Sequence, residues 1–198
     1  MFASAAGRFS ILLLCAAAAT AAARPAAADS KPKFAGPTIA HPQIAPDFAL
    51  RDQHGRVVRL AGQRGKVVMI TFLYTHCPDV CPLTAAHVNQ VLGSLGSRRS
   101  NVAVLAITVD PKGDTRPSVA AFVRSHRLRP QFHYLTGSTK ALERVWRVYN
   151  VSAVRKGAGD VDHTLYVLLL DRSGKSRVLF DSLAKPAAMV HDVKILLG

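Results

Sequence analysis

Two cysteines, Cys77 and Cys81, stand four residues apart in "YTHCPDVCPLTAAH" (residues 74–87), and a proline follows each. Thiols at this spacing can form a disulfide, pass electrons as a redox couple, or bind a metal as thiolates. A structural staple is the weakest of the three. A loop this short constrains the unfolded chain little. The third cysteine, Cys15, lies in the apolar N-terminal run "FSILLLCAAAATAAA" (residues 9–23). Leu14 precedes it where a lipoprotein signal would carry a small residue. The working chemistry therefore rests on Cys77 and Cys81.

Two thiolates alone make an open metal site, and the chain has eight histidines to complete it. His41 sits in a proline-rich stretch and His54 in a turn, so both face solvent. His126, His133 and His191 belong to elements away from the cysteine turn, where a lone histidine is an ordinary packing or surface residue. His76 diverges from its neighbour Cys77. His87, six residues beyond Cys81, points elsewhere on a helix. His163 differs. It closes "VDH" just before the apolar run "LYVLLLD".

The surrounding elements decide whether these residues can meet. "KVVMITFLY" (residues 66–74) is a near-continuous β-forming apolar run, as in a strand buried on both faces, and it leads straight into Cys77. Leu83, Val88, Val91, Leu92 and Leu95 then recur at helical spacing. Cys81 falls in the first turn, where N–H groups and the helix dipole favour thiolates. "NVAVLAITVD" (residues 101–110) reads as a second buried strand. "DTRPSVAAFVRSHRL" (residues 114–128) reads as a helix with Pro117 in its first turn. "FHYLTG" (residues 132–137) follows as a short strand. "STKALERVWRVYNV" (residues 138–151) is an amphipathic helix capped by Ser138 or Thr139, with Trp146 on its core face. "DFALRDQHGRVVRL" (residues 47–60) and "HTLYVLLLDRSGKSRVLF" (residues 163–180) read as hairpins, "RKGAGDVD" (residues 155–162) as a polar loop, and "PAAMVHDVKILLG" (residues 186–198) as a closing helix.

Alternating strands and helices predict an α/β sandwich around a mixed central sheet with an added β-hairpin. A cysteine pair where a buried strand meets a helix is the mark of a thioredoxin-like fold. Enzymes of that fold place a cis-proline beside the cysteines, ahead of the later central strand. This chain has no proline between Pro130 and Pro186 and presents Asp162-His163 there. A histidine at that place opens an S,S,N metal site. Asp162 could orient His163, Asp79 could approach from within the turn, and Asp110 closes its strand near the same sheet edge. Each also reads as an ordinary cap, turn or solvated residue. A thiol–disulfide oxidoreductase is the competing reading of Cys77 and Cys81.

The motifs "TFLYTHCPDVCPLT", "ITVDPKGDT" and "VDHT…YVLLLDRSG", in that order, closely resemble the Sco/SenC family of copper chaperones for respiratory oxidases. The resemblance covers residues 44–198. It implies a thioredoxin-like fold and copper held by Cys77, Cys81 and His163, with no turnover catalysis required. It further implies a location outside the cytoplasmic membrane, on the periplasmic side. The implied partners are cytochrome c oxidase subunit II and other periplasmic copper carriers. Two soft thiolates and one imidazole suit Cu(I), whereas structural zinc wants four closed ligands.

Composition sets the remaining bounds. A 198-residue chain, 49% hydrophobic and 19% charged, is large enough for one domain and a tail. Residues 1–23 read as a signal peptide or N-terminal membrane anchor, residues 24–43 as a flexible proline- and alanine-rich linker, and residues 44–198 as the domain. The net charge of +14 points to a solvated basic surface that can meet a membrane surface or an acidic partner. The Lys and Arg are scattered, without interleaved aromatics, so nucleic acid is excluded.

Overall fold

The computed structural model describes residues 1–2, 33–157 and 160–198. The chain divides into two compact units, Met1–Lys31 and Pro32–Gly198. The expected signal or anchor and the first part of the expected linker lie outside the described residues, apart from residues 1–2. Among the described residues no helix is long and apolar enough to cross a membrane.

The second unit begins with a hairpin, β1 (Ala49–Arg51) and β2 (Val57–Arg59), paired antiparallel. Then follow β3 (Val67–Leu73), α1 (Val80–Ser94), β4 (Val102–Thr108), α2 (Arg116–Ser125), β5 (Phe132–Leu135) and α3 (Thr139–Val148). The chain closes with β6 (Ala153–Gly157), β7 (Asp160–His163), β8 (Tyr166–Leu170), β9 (Ser176–Asp181) and α4 (Pro186–Leu197). Five strands form one mixed sheet in the order β5-β4-β3-β8-β9. β3, β4 and β5 run parallel, and β8 and β9 return antiparallel. This is the thioredoxin-like arrangement that the alternating pattern predicts.

The two central strands, "VVMITFL" and "VAVLAIT", are buried at every residue. Only a strand covered on both faces tolerates such a run, which explains why neither shows the alternation of a half-exposed strand. α1 packs on α4 and α4 reaches β3. α2 and α3 start on side-chain caps, Thr115 to the Ser118 amide and Ser138 to the Ala141 amide. Each such cap is worth about 1 kcal/mol.

Two regions depart from the sequence reading. "RKGAGDVD" is not simply a loop. Residues on either side of 158–159 pair as the β6–β7 hairpin, a two-stranded sheet separate from the central one. Its polar residues hid the strands because most of β6 is exposed. The second departure is residues 34–43, assigned above to the linker, together with Ile44 at the start of the domain. They run along β9, with Thr38 bridging Val178 and Ile44 bridging Lys175. The Ala35 and Gly36 amides donate to the buried Asp192 carboxylate of α4, at 2.7 and 2.9 Å. A Cβ on Gly36 would stand 2.4 Å from the Phe180 ring, so only glycine passes there. Proline-rich composition looks like a linker, but here backbone hydrogen bonds rather than apolar periodicity hold the segment.

Candidate metal centre

β3 delivers Tyr74 to the edge of the sheet, and the chain turns through Thr75, His76 and Cys77 into α1. Asp79 occupies the N-cap position without a side-chain capping bond. Its side chain is exposed. Cys77 and Cys81 are both free and both buried, Cys77 at 8% exposure and Cys81 at 0%. The Cys81 amide donates to the Cys77 sulfur at 3.4 Å, so the sulfur of the first cysteine lies over the start of the helix.

β7 brings His163 to the same place from 82 residues away, with Nε2 at 3.8 Å from the Cys81 sulfur. A first-row metal bonds sulfur at about 2.3 Å and imidazole nitrogen at about 2.0–2.1 Å. Two such ligands on one ion at an open angle stand roughly 3.5–3.8 Å apart. The observed separation has that size. The other ring nitrogen, Nδ1, lies 3.0 Å from the Thr164 carbonyl. A proton on Nδ1 donates there and leaves the Nε2 lone pair facing the sulfur. Burial lowers the His163 pKa, and the Thr164 carbonyl and Asp162 oppose it only in part. The neutral, ligating form is therefore favoured. Among the described residues, no three His, Cys, Asp or Glu side chains already stand as a closed shell.

Burial also pushes the Cys81 thiol up. This corrects the expectation that the helix end alone would favour a thiolate there. Desolvation outweighs the helix dipole at a fully buried sulfur, and a cation arriving between the ligands would supply the missing charge.

The other candidates fall elsewhere. His76 is exposed beside Thr75 and His87 is half-buried along α1; neither joins the cluster. Asp162 does not orient His163, because its carboxylate pairs with Lys156 at 2.8 Å on the outer side of the hairpin. Asp110 has a structural role. It is 2% exposed, and its Oδ1 accepts from the Gly113 amide and from the Arg155 guanidinium of β6. Its Oδ2 is buried without a hydrogen bond. Trp146 packs against the core, and its indole N–H donates to the Thr108 carbonyl at 3.0 Å.

Three supporting residues were not picked out from sequence. The Tyr74 ring meets the His163 ring edge-on at 5.6 Å. Burial, with the two cysteines adding to it, pushes its hydroxyl up to about 12. Asp114 is buried and gathers the Thr75 amide and hydroxyl, the Thr108 hydroxyl and the Tyr134 hydroxyl on one carboxylate. Arg155 ties the histidine-bearing hairpin to Asp110. The available signal was the spacing of Asp110 and Asp114 in "VDPKGD", which sets two carboxylates at one strand end.

The SCO1/SenC family profile matches residues 36–198. The chain belongs to the SCO1/SenC family. It is 38% identical over 135 residues to the mitochondrial SCO2 homolog of Bos taurus, an alignment covering 65% of this chain and 50% of that protein. It is 33% identical to the copper-bound ScoI of Bradyrhizobium japonicum, with a TM-score of 0.68 over 77% of this chain and 98% of that one. It is 30% identical to apo Sco1 of Thermus thermophilus, with a TM-score of 0.69 over 82% and 96%. The SCO1/SenC match starts at residue 36, where the structure also begins to hold the chain against Asp192 and β9. The matched span takes in the cysteine turn, the Asp110–Asp114 strand end and the His163 hairpin alike.

Proposed function

We propose that this protein is a copper metallochaperone whose cargo ion is held by Cys77, Cys81 and His163. The observation that carries the reading is the imidazole Nε2 facing the Cys81 sulfur at 3.8 Å, beside a second free cysteine and where no proline stands. Two thiolates and an imidazole form a soft donor set suited to Cu(I), and one added ligand suits Cu(II). Copper is bound by the Bradyrhizobium ScoI that this chain resembles. The recipient is the copper centre of a respiratory cytochrome c oxidase, on its subunit II, served from the periplasmic side of the membrane. Residues 1–23 act as an export signal or anchor, and copper reaches the domain from other periplasmic carriers.

Copper content per chain tests the site. Wild type is expected to hold one ion, and Cys77→Ser with Cys81→Ser none. His163→Ala is expected to lose tight Cu(II) binding while keeping weaker Cu(I) binding. Unchanged affinity for both states in His163→Ala overturns the three-ligand reading. Loss of oxidase activity in a deletion strain, restored by wild type and not by His163→Ala, tests the recipient.

A second reading has its own observation. The two cysteines are unequal, Cys77 buried but at 8% exposure and Cys81 fully sealed at 0%. Such a pair suits a thiol–disulfide exchanger that keeps the recipient's cysteines reduced. Fast reduction of a peptide disulfide that survives His163→Ala would favour it.

A further inference from the structure

The end of the sheet opposite the cysteines carries an unbalanced charge. Four segments meet there, each feeding or linking strands of the central sheet. Residues 61–66, before β3, carry Arg64 and Lys66. Residues 96–101, before β4, carry Arg98 and Arg99. Residues 126–131, before β5, carry Arg127 and Arg129. Residues 171–175, between β8 and β9, carry Arg172 and Lys175. The sheet order makes these segments neighbours, so the cations form a row across its full width. The Arg172 guanidinium donates to the Gly65 carbonyl at 2.9 Å, which fixes two of the segments side by side. All but Lys66 and Arg129 are exposed.

Asp47 accepts from the Ala61 amide at 2.8 Å at the margin of the first segment, and one further carboxylate stands among the cations, Asp171. It already accepts from Ser173, from the Lys175 amide and from Arg177. The four segments contain no Phe, Trp or Tyr and no exposed large hydrophobic side chain; the exposed Ile44, bridged to Lys175, is a lone apolar neighbour. That absence helps name the partner. A protein interface needs a desolvated core, enriched in aromatic side chains and depleted of Lys. An anionic bilayer asks only for clustered cations near its surface, each worth about 1 kcal/mol.

We infer that this pole is a docking surface for an anionic phospholipid bilayer. Standing on it, the domain holds its cysteine turn at the far end of seven-residue strands, about 23 Å further out. The inference does not rest on copper binding, because the pole and the cysteine turn share no residue.

The test uses the full chain with vesicles of phosphatidylcholine alone, or with about a quarter phosphatidylglycerol. Amides at 96–101 and 171–175 should exchange hydrogen more slowly on the anionic vesicles only, whether or not the N-terminal segment also inserts. A variant with Arg98→Gln, Arg127→Gln and Lys175→Gln should lose that protection and bind about a hundredfold more weakly, at roughly fivefold per cation. It should keep the wild-type copper content. A control with Lys140→Gln, Arg144→Gln and Arg147→Gln on α3 removes equal charge and should retain protection and affinity. Equal protection on both vesicle types overturns the inference, as does an equal loss in the α3 control. Tighter binding to poly-L-glutamate than to the anionic vesicles, lost in the pole variant, would assign the surface to an acidic protein instead.

Discussion

The two halves of the candidate metal centre are built to different standards. Cys77 and Cys81 sit between a strand buried at all seven residues and a helix packed on the core. His163 ends a short hairpin that pairs with no strand of the central sheet. β6 is exposed along most of its length. The hairpin is tied down by Arg155 to Asp110, by the buried Val161, by reciprocal Ser152–Thr164 hydrogen bonds and by the Tyr74 ring. Local opening is easiest where few apolar contacts are buried and hydrogen bonds face solvent. In the proposed site the sulfurs therefore define a fixed cradle and the imidazole a ligand that can leave. For the proposed carrier, which must surrender its ion, that asymmetry is useful: a recipient could displace His163 without unfolding the cysteine turn. Native-state hydrogen exchange checks the contrast directly. Amides of β7 should open more easily than those of β3, by several kcal/mol, and equal protection would remove it.

Breaking the fixed half should have the largest effect. Asp114 collects four donors on one buried carboxylate, two of them from Thr75, the residue that launches the cysteine turn. Asp114→Ala leaves these groups unsatisfied in the core, and losing such a network costs about 3–5 kcal/mol. Urea denaturation should show that loss. Copper binding should weaken for both oxidation states, because in the proposed site both use the sulfurs. A loss confined to Cu(II) would mean that Asp114 serves the histidine side instead.

Breaking the looser half should cost less stability and be more selective. Arg155 is 38% exposed at its side chain while Asp110 is 1% exposed. Arg155→Ala strands a buried carboxylate, and with solvent reaching the arginine the loss should be about 1–2 kcal/mol. The effect on the site should be larger than on the fold. Residues that orient a metal ligand from behind typically alter affinity 10–100-fold. Cu(II) affinity should fall by that order while the Cu(I)–thiolate complex persists, and Arg155→Lys should restore part of it. An equal fall for both oxidation states would show that the hairpin and the turn act as one body.

The same asymmetry explains what could be read in advance. β3 and β4 were legible because burial on both faces leaves an unbroken apolar run, and α1 because apolar residues follow at helical spacing. Cys77, Cys81 and His163 were legible as residue types placed against the expected fold. The β6–β7 hairpin was not, since an exposed ribbon held by Arg155 and Val161 has the composition of a loop. Residues 34–43 were read as linker for a related reason. Their hold on the domain is made by backbone amides to Asp192 and by the Gly36 approach to Phe180, neither of which leaves a hydrophobic period. Asp114 was present in a quoted motif, but its four donors come from segments up to 39 residues away. No local rule announces that convergence.

The smallest test acts where the two halves touch. Tyr74 belongs to the fixed half, yet its ring lies edge-on to His163 and its hydroxyl interacts with the Val161 backbone of β7 and with the Cys77 sulfur. Tyr74→Phe keeps the ring and removes only the hydroxyl, a change of about 0.5–1.5 kcal/mol. If the hydroxyl helps tether the hairpin, β7 amides should exchange faster and Cu(II) affinity should drop by less than tenfold. β3 amides and Cu(I) affinity should stay as in wild type. Tyr74→Leu, which also removes the edge-on ring contact, should extend the same trend. Faster exchange in β3 as well would place Tyr74 wholly in the core, and the joint between the cradle and the departing ligand would then rest on Arg155 and Asp110.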